Sequence, residues 1–442
     1  MPLPQDDPAG FLLSPRAAMM RSVPWLVSPA VLLVGALFVC MTAPAHGGSH
    51  EESGTDNTSL THIGKVHDRV RAARTREQPS LDEEITDLYG RYVRAKERFQ
   101  KAANLQYSLD VSIMYQWGSP DGGPPAGQLL LSPSVNWDFP EKTPIGSCSL
   151  QFAYDFPWYM TSRNAEDLQS NLGLITPVND FPSNVQSFDQ LTFTDVLPGE
   201  RASIVVGQFP LSNFDANQYA GNQQVNFISY PLAQNGSSTY PVASLGTYAQ
   251  VTPITGVSFA AGFQDANNTV GKSIQFDTFG DGRYTWFGYG QWTPQVRNLG
   301  TGRFSFLYYR SPSVPAQGST SGWSANGVQN LNDTWGLFLR ANGASGYTTP
   351  IRTSIAGGGA WNDPLKRDRL DQIGLGISWD HAARPPANPP DARDEWVIEG
   401  YWAWTFFRGL QITPDLQIYI HPALDPGRSS AWLFSLRTLV LF

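Results

Sequence analysis

Few residues in this 442-residue chain have the types and spacing for covalent catalysis. Hydrolysis by a nucleophile needs Ser or Cys within reach of His, and after residue 67 the only histidines are His381 and His421. His381 follows Trp379-Asp380 and His421 precedes a proline, so neither stands in an H-x-S arrangement. The other four, His46, His50, His62 and His67, crowd one polar stretch. There metal capture competes with a solvated tail that happens to contain histidine. Cysteine is limited to Cys40 and Cys148, too few for a thiolate zinc site or a disulfide framework. No glycine loop of phosphate-cradling type appears. The residues imply no enzyme, no cofactor and no metal. The chemistry left is ionic and hydrogen-bonding, carried by Asp, Glu, Arg, Asn and Gln set singly between apolar neighbours.

That placement has a period of two. Tyr107, Leu109, Val111, Ile113, Tyr115 and Trp117 alternate with Gln106, Ser108, Asp110, Ser112, Met114 and Gln116, the pattern of a strand with one apolar face. Cys148 to Trp158 repeats it around Gln151 and Asp155, and Trp432 to Phe442 repeats it around Arg437. By the same parity Arg303, Arg340, Asp380, Asp415 and Gln417 oppose apolar faces. Arg352 lies between Ile351 and Thr353, and Glu399 between Ile398 and Gly400.

Several of these runs reach the ten or so residues that a tilted strand needs to cross a bilayer. Trp, Tyr and Phe bound their apolar sets, as in interfacial girdles, while the other face is polar enough for a wet lumen. A closed barrel then satisfies every backbone group in lipid. The 338 residues from Leu105 to Phe442 at roughly 21 per strand and connection predict about 16 strands, enclosing an aqueous channel. Weak strand signals fall near 172–176 and 273–276. The fold class expected is all-β: a transmembrane antiparallel β-barrel over 105–442.

Ahead of the barrel the chain divides into three. Residues 1–45 read as a signal peptide, with Arg16 and Arg21 before an apolar run at 24–41 and Ala43-Pro44-Ala45 as a cleavage pattern. Residues 46–79 are polar and without periodicity, a disordered segment. Residues 80–104 form a heptad helix, opened by the Ser80-x-x-Glu83 capping box and carrying Leu81, Ile85, Leu88, Tyr92, Ala95, Phe99 and Ala102. It is expected in the periplasm, either pairing protomers through residues 81–102 as a short coiled coil or docking singly on the barrel rim. A net charge of -8 without basic clusters argues against nucleic acid as a partner.

The segment around 201–251, containing GQFPLSNFDANQYAGNQQVNFISYPLAQ, and the TPDLQ…HP…DPG stretch from Thr413 to Gly427 resemble the carbohydrate-selective porin (OprB) family. The likeness extends over most of 105–442. It departs at His421-Pro422, where the family often has Asn before Pro. The resemblance implies a 16-stranded outer-membrane porin that lets sugars and oligosaccharides diffuse passively, with weak selectivity, into the periplasm. Its partners would be carbohydrate solutes and outer-membrane lipid or lipopolysaccharide. A barrel that binds or exports a secreted exopolysaccharide would need the same lumen and stands as the alternative.

Under the porin reading the lumen candidates for sugar contact are Asp110, Asp155, Arg303, Arg340, Arg352, Glu399, Asp415 and Arg437. Each offers planar donors or acceptors for hydroxyls, though lumen charges also pair merely to stiffen a barrel. The Gln208–Gln224 stretch is the candidate for a constriction loop folded into the bore. Phe209, Phe214 and Tyr219 would supply rings for stacking, and Asp215, Gln218, Asn222 and Gln223 would supply hydrogen bonds. An ordinary extracellular loop is the other reading of that stretch.

Overall fold

A computed structural model of the protein describes Val66, Arg69 and residues 87–120, 123–143, 146–295, 300–346, 350–407 and 410–442. The leader, most of the polar segment and the capping box of the heptad helix lie outside the described residues. Helix α1 (Asp87–Ala103) leads directly into the first strand.

Among the described residues sixteen strands follow. They are β1 (Leu105–Ser119), β2 (Ala126–Thr143), β3 (Gly146–Tyr159), β4 (Ser187–Val196) and β5 (Ala202–Phe209). Next come β6 (Ser244–Ile254), β7 (Val257–Asp265), β8 (Tyr284–Trp292), β9 (Gly302–Ser311) and β10 (Thr320–Asn330). The last six are β11 (Trp335–Gly346), β12 (Ile351–Asn362), β13 (Gln372–Ala382), β14 (Glu395–Phe407), β15 (Leu410–Ile420) and β16 (Ser430–Leu441). Each pairs antiparallel with its neighbours in sequence, and β1 pairs with β16 to close the barrel. Closure removes both sheet edges, which lipid requires. The strand number matches the sequence expectation. Residues 172–176 and 273–276, however, lie in connections and not in strands.

The period-two pattern separates the two faces as expected. In β1 Ile113 is 40% exposed while Asp110 is 4% exposed; in β16 Phe434 is 44% exposed and Arg437 only 1%. Aromatic pairs mark both ends of the outer face. Trp335 stacks on Trp361 at 5.1 Å at the end that holds the barrel's first and last residues, and Trp117 meets Phe434 at 5.7 Å near the other. Amphipathic rings collect at bilayer interfaces for this reason.

The connections are unequal. Those at the end holding Leu105 and Leu441 are short, whereas 160–186 and 210–243 at the opposite end are long and fold back among buried residues. The first contains helix α2 (Ala165–Leu172), capped by a reciprocal pair between Asn164 and Asp167 and ended by Gly173 at φ 70°. These loops bring apolar residues into the bore. Phe209 and Phe214 pack with Tyr248, Phe287 and Tyr289, and Phe227 and Leu232 pack with Phe338 and Tyr401. The lumen is therefore not uniformly wet: polar over much of its wall, it carries greasy patches wherever a loop docks.

Helix α1 leans on the base of the barrel. Tyr92 meets Phe442 edge-on at 6.4 Å, Phe99 meets Tyr107 at 6.3 Å, and the Lys96 ammonium sits 4.7 Å over the Tyr107 ring. Phe99 remains 52% exposed.

Candidate functional site

The loop 210–243 crosses the bore because the barrel wall offers partners for its backbone. Outside its short helical turns at Leu211–Phe214 and Tyr230–Ala233 the loop has amides and carbonyls without regular partners, and burying them unpaired would be costly. The inward-facing charges meet that need. Arg340 on β11 donates to the carbonyls of Gln234 (2.6 Å), Ala220 (2.6 Å) and Asp215 (3.3 Å), and through Nε to Asn326 (2.8 Å). Arg437 on β16 donates to the carbonyls of Gln223 and Asn226. The Glu399 carboxylate on β14 accepts from the amides of Ile228 and Ser229, the latter at 2.9 Å. Asp415, beside it on β15, bonds Gln417. All four side chains are fully buried on the inner face beneath the loop; Arg340, Arg437 and Glu399 serve loop backbone groups, whereas Asp415 meets the Gln417 carboxamide.

Wall glycines complete the seat. An added Cβ on Gly336 would fall 2.2 Å from the Tyr219 ring, and one on Gly376 would press on Phe227 and Leu232. The rings of the candidate constriction loop are accordingly committed to packing. Phe209 closes strand β5, Phe214 is buried in the aromatic cluster, and Tyr219 donates its hydroxyl to Asn330 at 2.6 Å. Asp215 accepts from Asn235 (2.8 Å) and Asn326 (2.7 Å). Gln223 ties the loop to Asp180 and Gln128 (2.6 and 3.2 Å). Gln218 is exposed and bonds Asn330 at 2.8 Å. The Asn222 carboxamide caps the following turn through the Gln224 amide, 2.9 Å away.

Arg352 corrects the parity argument. A β-bulge between Ile351 and Thr353 shifts the register of β12 against β13. Ile351 is buried, whereas Arg352 is turned out beside Tyr308 and Trp323. One extra residue reverses every side chain before it, and nothing in the local composition announces such a bulge.

Asp155 and Asp110 face the bore on the opposite wall. Asp155 accepts from Ser132 (2.6 Å) and from the Arg69 guanidinium (3.0 Å). Arg69 also reaches Ser134, and Val66 packs on Ala153. These two residues come from the stretch expected to be a solvated segment, yet both are buried against the inner wall. Sequence reasoning also passed over Glu395, the first residue of β14. Its carboxylate accepts from the amides of Ile175 (3.3 Å), Thr176 (3.1 Å) and Ala423 (3.0 Å), and so holds the loop 160–186. Parity with Trp396 places it inward, but it stands where the alternation begins.

What the loops leave open is a cavity of about 730 Å³ toward the end holding the barrel's first and last residues. Asp110, Asp180, Asp371, Arg69, Arg303 and Arg369 line it, together with Asn217, Gln218, Asn222, Asn226 and Gln372 and the Phe181 ring. Arg303 is steadied by Gln291 at 2.9 Å, and Asp371 by Arg367 and the Thr405 amide. Of the sequence candidates, Asp110, Arg303, Gln218 and Asn222 border this space. Asp155, Arg340, Glu399, Asp415, Arg437, Phe209, Phe214, Asp215, Tyr219 and Gln223 do not line it and are held in the buried contacts described above.

Known porins share this architecture. Porin AaxA of Chlamydia felis is 35% identical over 348 residues, spanning 76% of this chain and 78% of its own. Porin AaxA of Chlamydia trachomatis serovar A is 32% identical over 374 residues, spanning 79% and 80%. The high-pH structure of Pseudomonas putida OprB superposes with a TM-score of 0.66 at 14% identity, covering 78% of this chain and 96% of that one, a likeness of fold. A barrel of this kind implies the outer membrane, and the family and fold indicate a channel. The model of the carbohydrate-selective porin, OprB family, matches residues 161–442, and the chain belongs to that family.

Proposed function

We propose that the barrel passes sugars and short oligosaccharides passively into the periplasm. The observation that carries this reading is the lining of the 730 Å³ cavity, where carboxamides, carboxylates and guanidinium groups surround an open space beside one aromatic ring. Sugar hydroxyls need such planar donors and acceptors. Their spread over several elements favours weak, repeated binding, which a conducting pore requires for release. Asp110, Arg303, Gln218 and Asn222 are the proposed solute contacts from the sequence, joined by Asn226 and Gln372. The buried charges Arg340, Arg437 and Glu399 act one step back, by holding the loop that shapes the passage. Helix α1 would lie at the periplasmic mouth, and its exposed Phe99 leaves the heptad face available for pairing through 81–102.

Planar-bilayer conductance titrated with glucose and maltooligosaccharides tests the reading. Current block that saturates with sugar, and weakens in Arg303→Ala, is expected. A current indifferent to every sugar would overturn selective passage while leaving the channel itself intact.

A further inference from the structure

On the outer face of β9–β12, near the long-loop end, polar residues interrupt the aromatic belt. Strand register sets Arg310 beside Ser321 and Ser321 beside Ser345, and the bulge in β12 turns Arg352 out to the notch that Ser321 and Ser345 also line. The two serine hydroxyls bond each other at 2.8 Å. A notch of about 360 Å³ opens there, lined by Tyr308, Trp323, Gly343, Arg352 and Thr353 among others. A Cβ on Gly343 would crowd the Trp323 indole nitrogen at 3.1 Å, so the glycine makes room for the ring.

Arg310 and Arg352 are both exposed, and no hydrogen bond or ion pair joins either to another described residue. On the neighbouring strand His381 is engaged by Asp394 at 2.7 Å. A guanidinium on a lipid-facing wall is unfavourable unless it lies at headgroup depth and finds an anion there. Guanidinium binds phosphate through paired N–H groups, and aromatic rings flanked by hydroxyls suit a sugar. Three strand spacings separate the backbones of Arg310 and Arg352 by about 14 Å, the reach of a headgroup and not of a small ion. Long loops of outer-membrane barrels face the cell exterior, which sets this row in the outer leaflet.

We propose that the notch binds a phosphorylated glycolipid of the outer leaflet. Its phosphates engage Arg310 and Arg352, and its sugar lies over Ser321, Ser345 and the Tyr308 and Trp323 rings. The site is independent of what crosses the lumen.

Native mass spectrometry of the full chain, extracted from outer membranes in mild detergent, reads the bound lipid directly. The Arg310→Ala/Arg352→Ala double variant should retain at least tenfold less lipopolysaccharide than the parent, and Arg352→Gln alone an intermediate amount. A heat-modifiable gel shift equal to the parent's verifies that each variant is folded. The delipidated parent should rebind lipopolysaccharide but neither its dephosphorylated form nor phosphatidylglycerol. Equal retention by the folded double variant, or equal rebinding of the dephosphorylated lipid, would overturn the proposal. So would loss of an oligomer with lipid unchanged, which would give the notch to a second copy of the chain.

Discussion

Arg340 and Asp215 are joined through Asn326, whose amide nitrogen donates to the Asp215 carboxylate at 2.7 Å and whose oxygen accepts from Arg340 Nε at 2.8 Å. The guanidinium meanwhile holds the Asp215 backbone carbonyl. One buried cation thus fixes both the backbone of the loop and, through a neutral relay, its only acidic side chain.

Replacing Arg340 by Met should strip several carbonyls of their donor and leave Asp215 without a balancing charge. A loss of about 3 kcal/mol is expected, read as earlier thermal unfolding on heat-modifiable gels. Single-channel records should show higher and noisier conductance as the loop leaves the bore. An unchanged record with unchanged stability would remove Arg340 as an anchor.

Glu399→Gln keeps the shape of the side chain but offers one good acceptor to two loop amides, at Ile228 and Ser229. The expected cost is about 1–3 kcal/mol. Amide exchange at these two positions should accelerate selectively; uniform exchange across the loop would contradict the local role.

The Gly336 and Tyr219 pair allows a double-mutant cycle. Gly336→Ala drives a methyl into the Tyr219 ring and should cost about 1–3 kcal/mol by overpacking. Adding Tyr219→Ala should recover part of that loss. Strict additivity of the two changes would show that the ring does not rest on the glycine.

Arg69→Ala removes the cation that pairs with Asp155 at 3.0 Å and stands near Asp110 and Asp189. Local negative potential along the cavity should rise, so the reversal potential in a salt gradient should move toward cation selectivity. A reversal potential identical to the parent's counts against Arg69 occupying the lumen.

Alkaline pH should loosen the loop. Burial, reinforced by the negative charge of Asp180, pushes the Tyr230 hydroxyl up to about 12. In the released loop it would ionise near 10. The folded arrangement therefore retains the proton longer, and its contribution is complete below about pH 10 and lost as pH climbs through about 12. Conductance followed from pH 8 upward should change over that interval in the parent, and Tyr230→Phe should flatten the change.

The barrel was legible in the sequence because lipid leaves a strand little choice. Alternation in Tyr107–Trp117 or Trp432–Phe442 assigns each side chain to a face, and the same parity directed Asp110, Arg340, Glu399 and Arg437 inward. Parity says nothing about what meets an inward charge. Phe287, Tyr289, Leu307 and Tyr309 do signal docking, since they put large apolar groups on the face that should be wet. The loop residues that seal against them lie far away in sequence, and a strand pattern cannot name its partner.

The sequence by itself determined a membrane-spanning barrel, its two faces and its strand number, since these follow from a local period and the need to pair every backbone group in lipid. Only the tertiary structure decided that Arg340, Arg437 and Glu399 serve loop carbonyls and amides, that Arg69 enters the bore, and that a bulge turns Arg352 outward. Those outcomes depend on contacts between residues tens to hundreds of positions apart, where the closing geometry selects among partners of equal local chemistry.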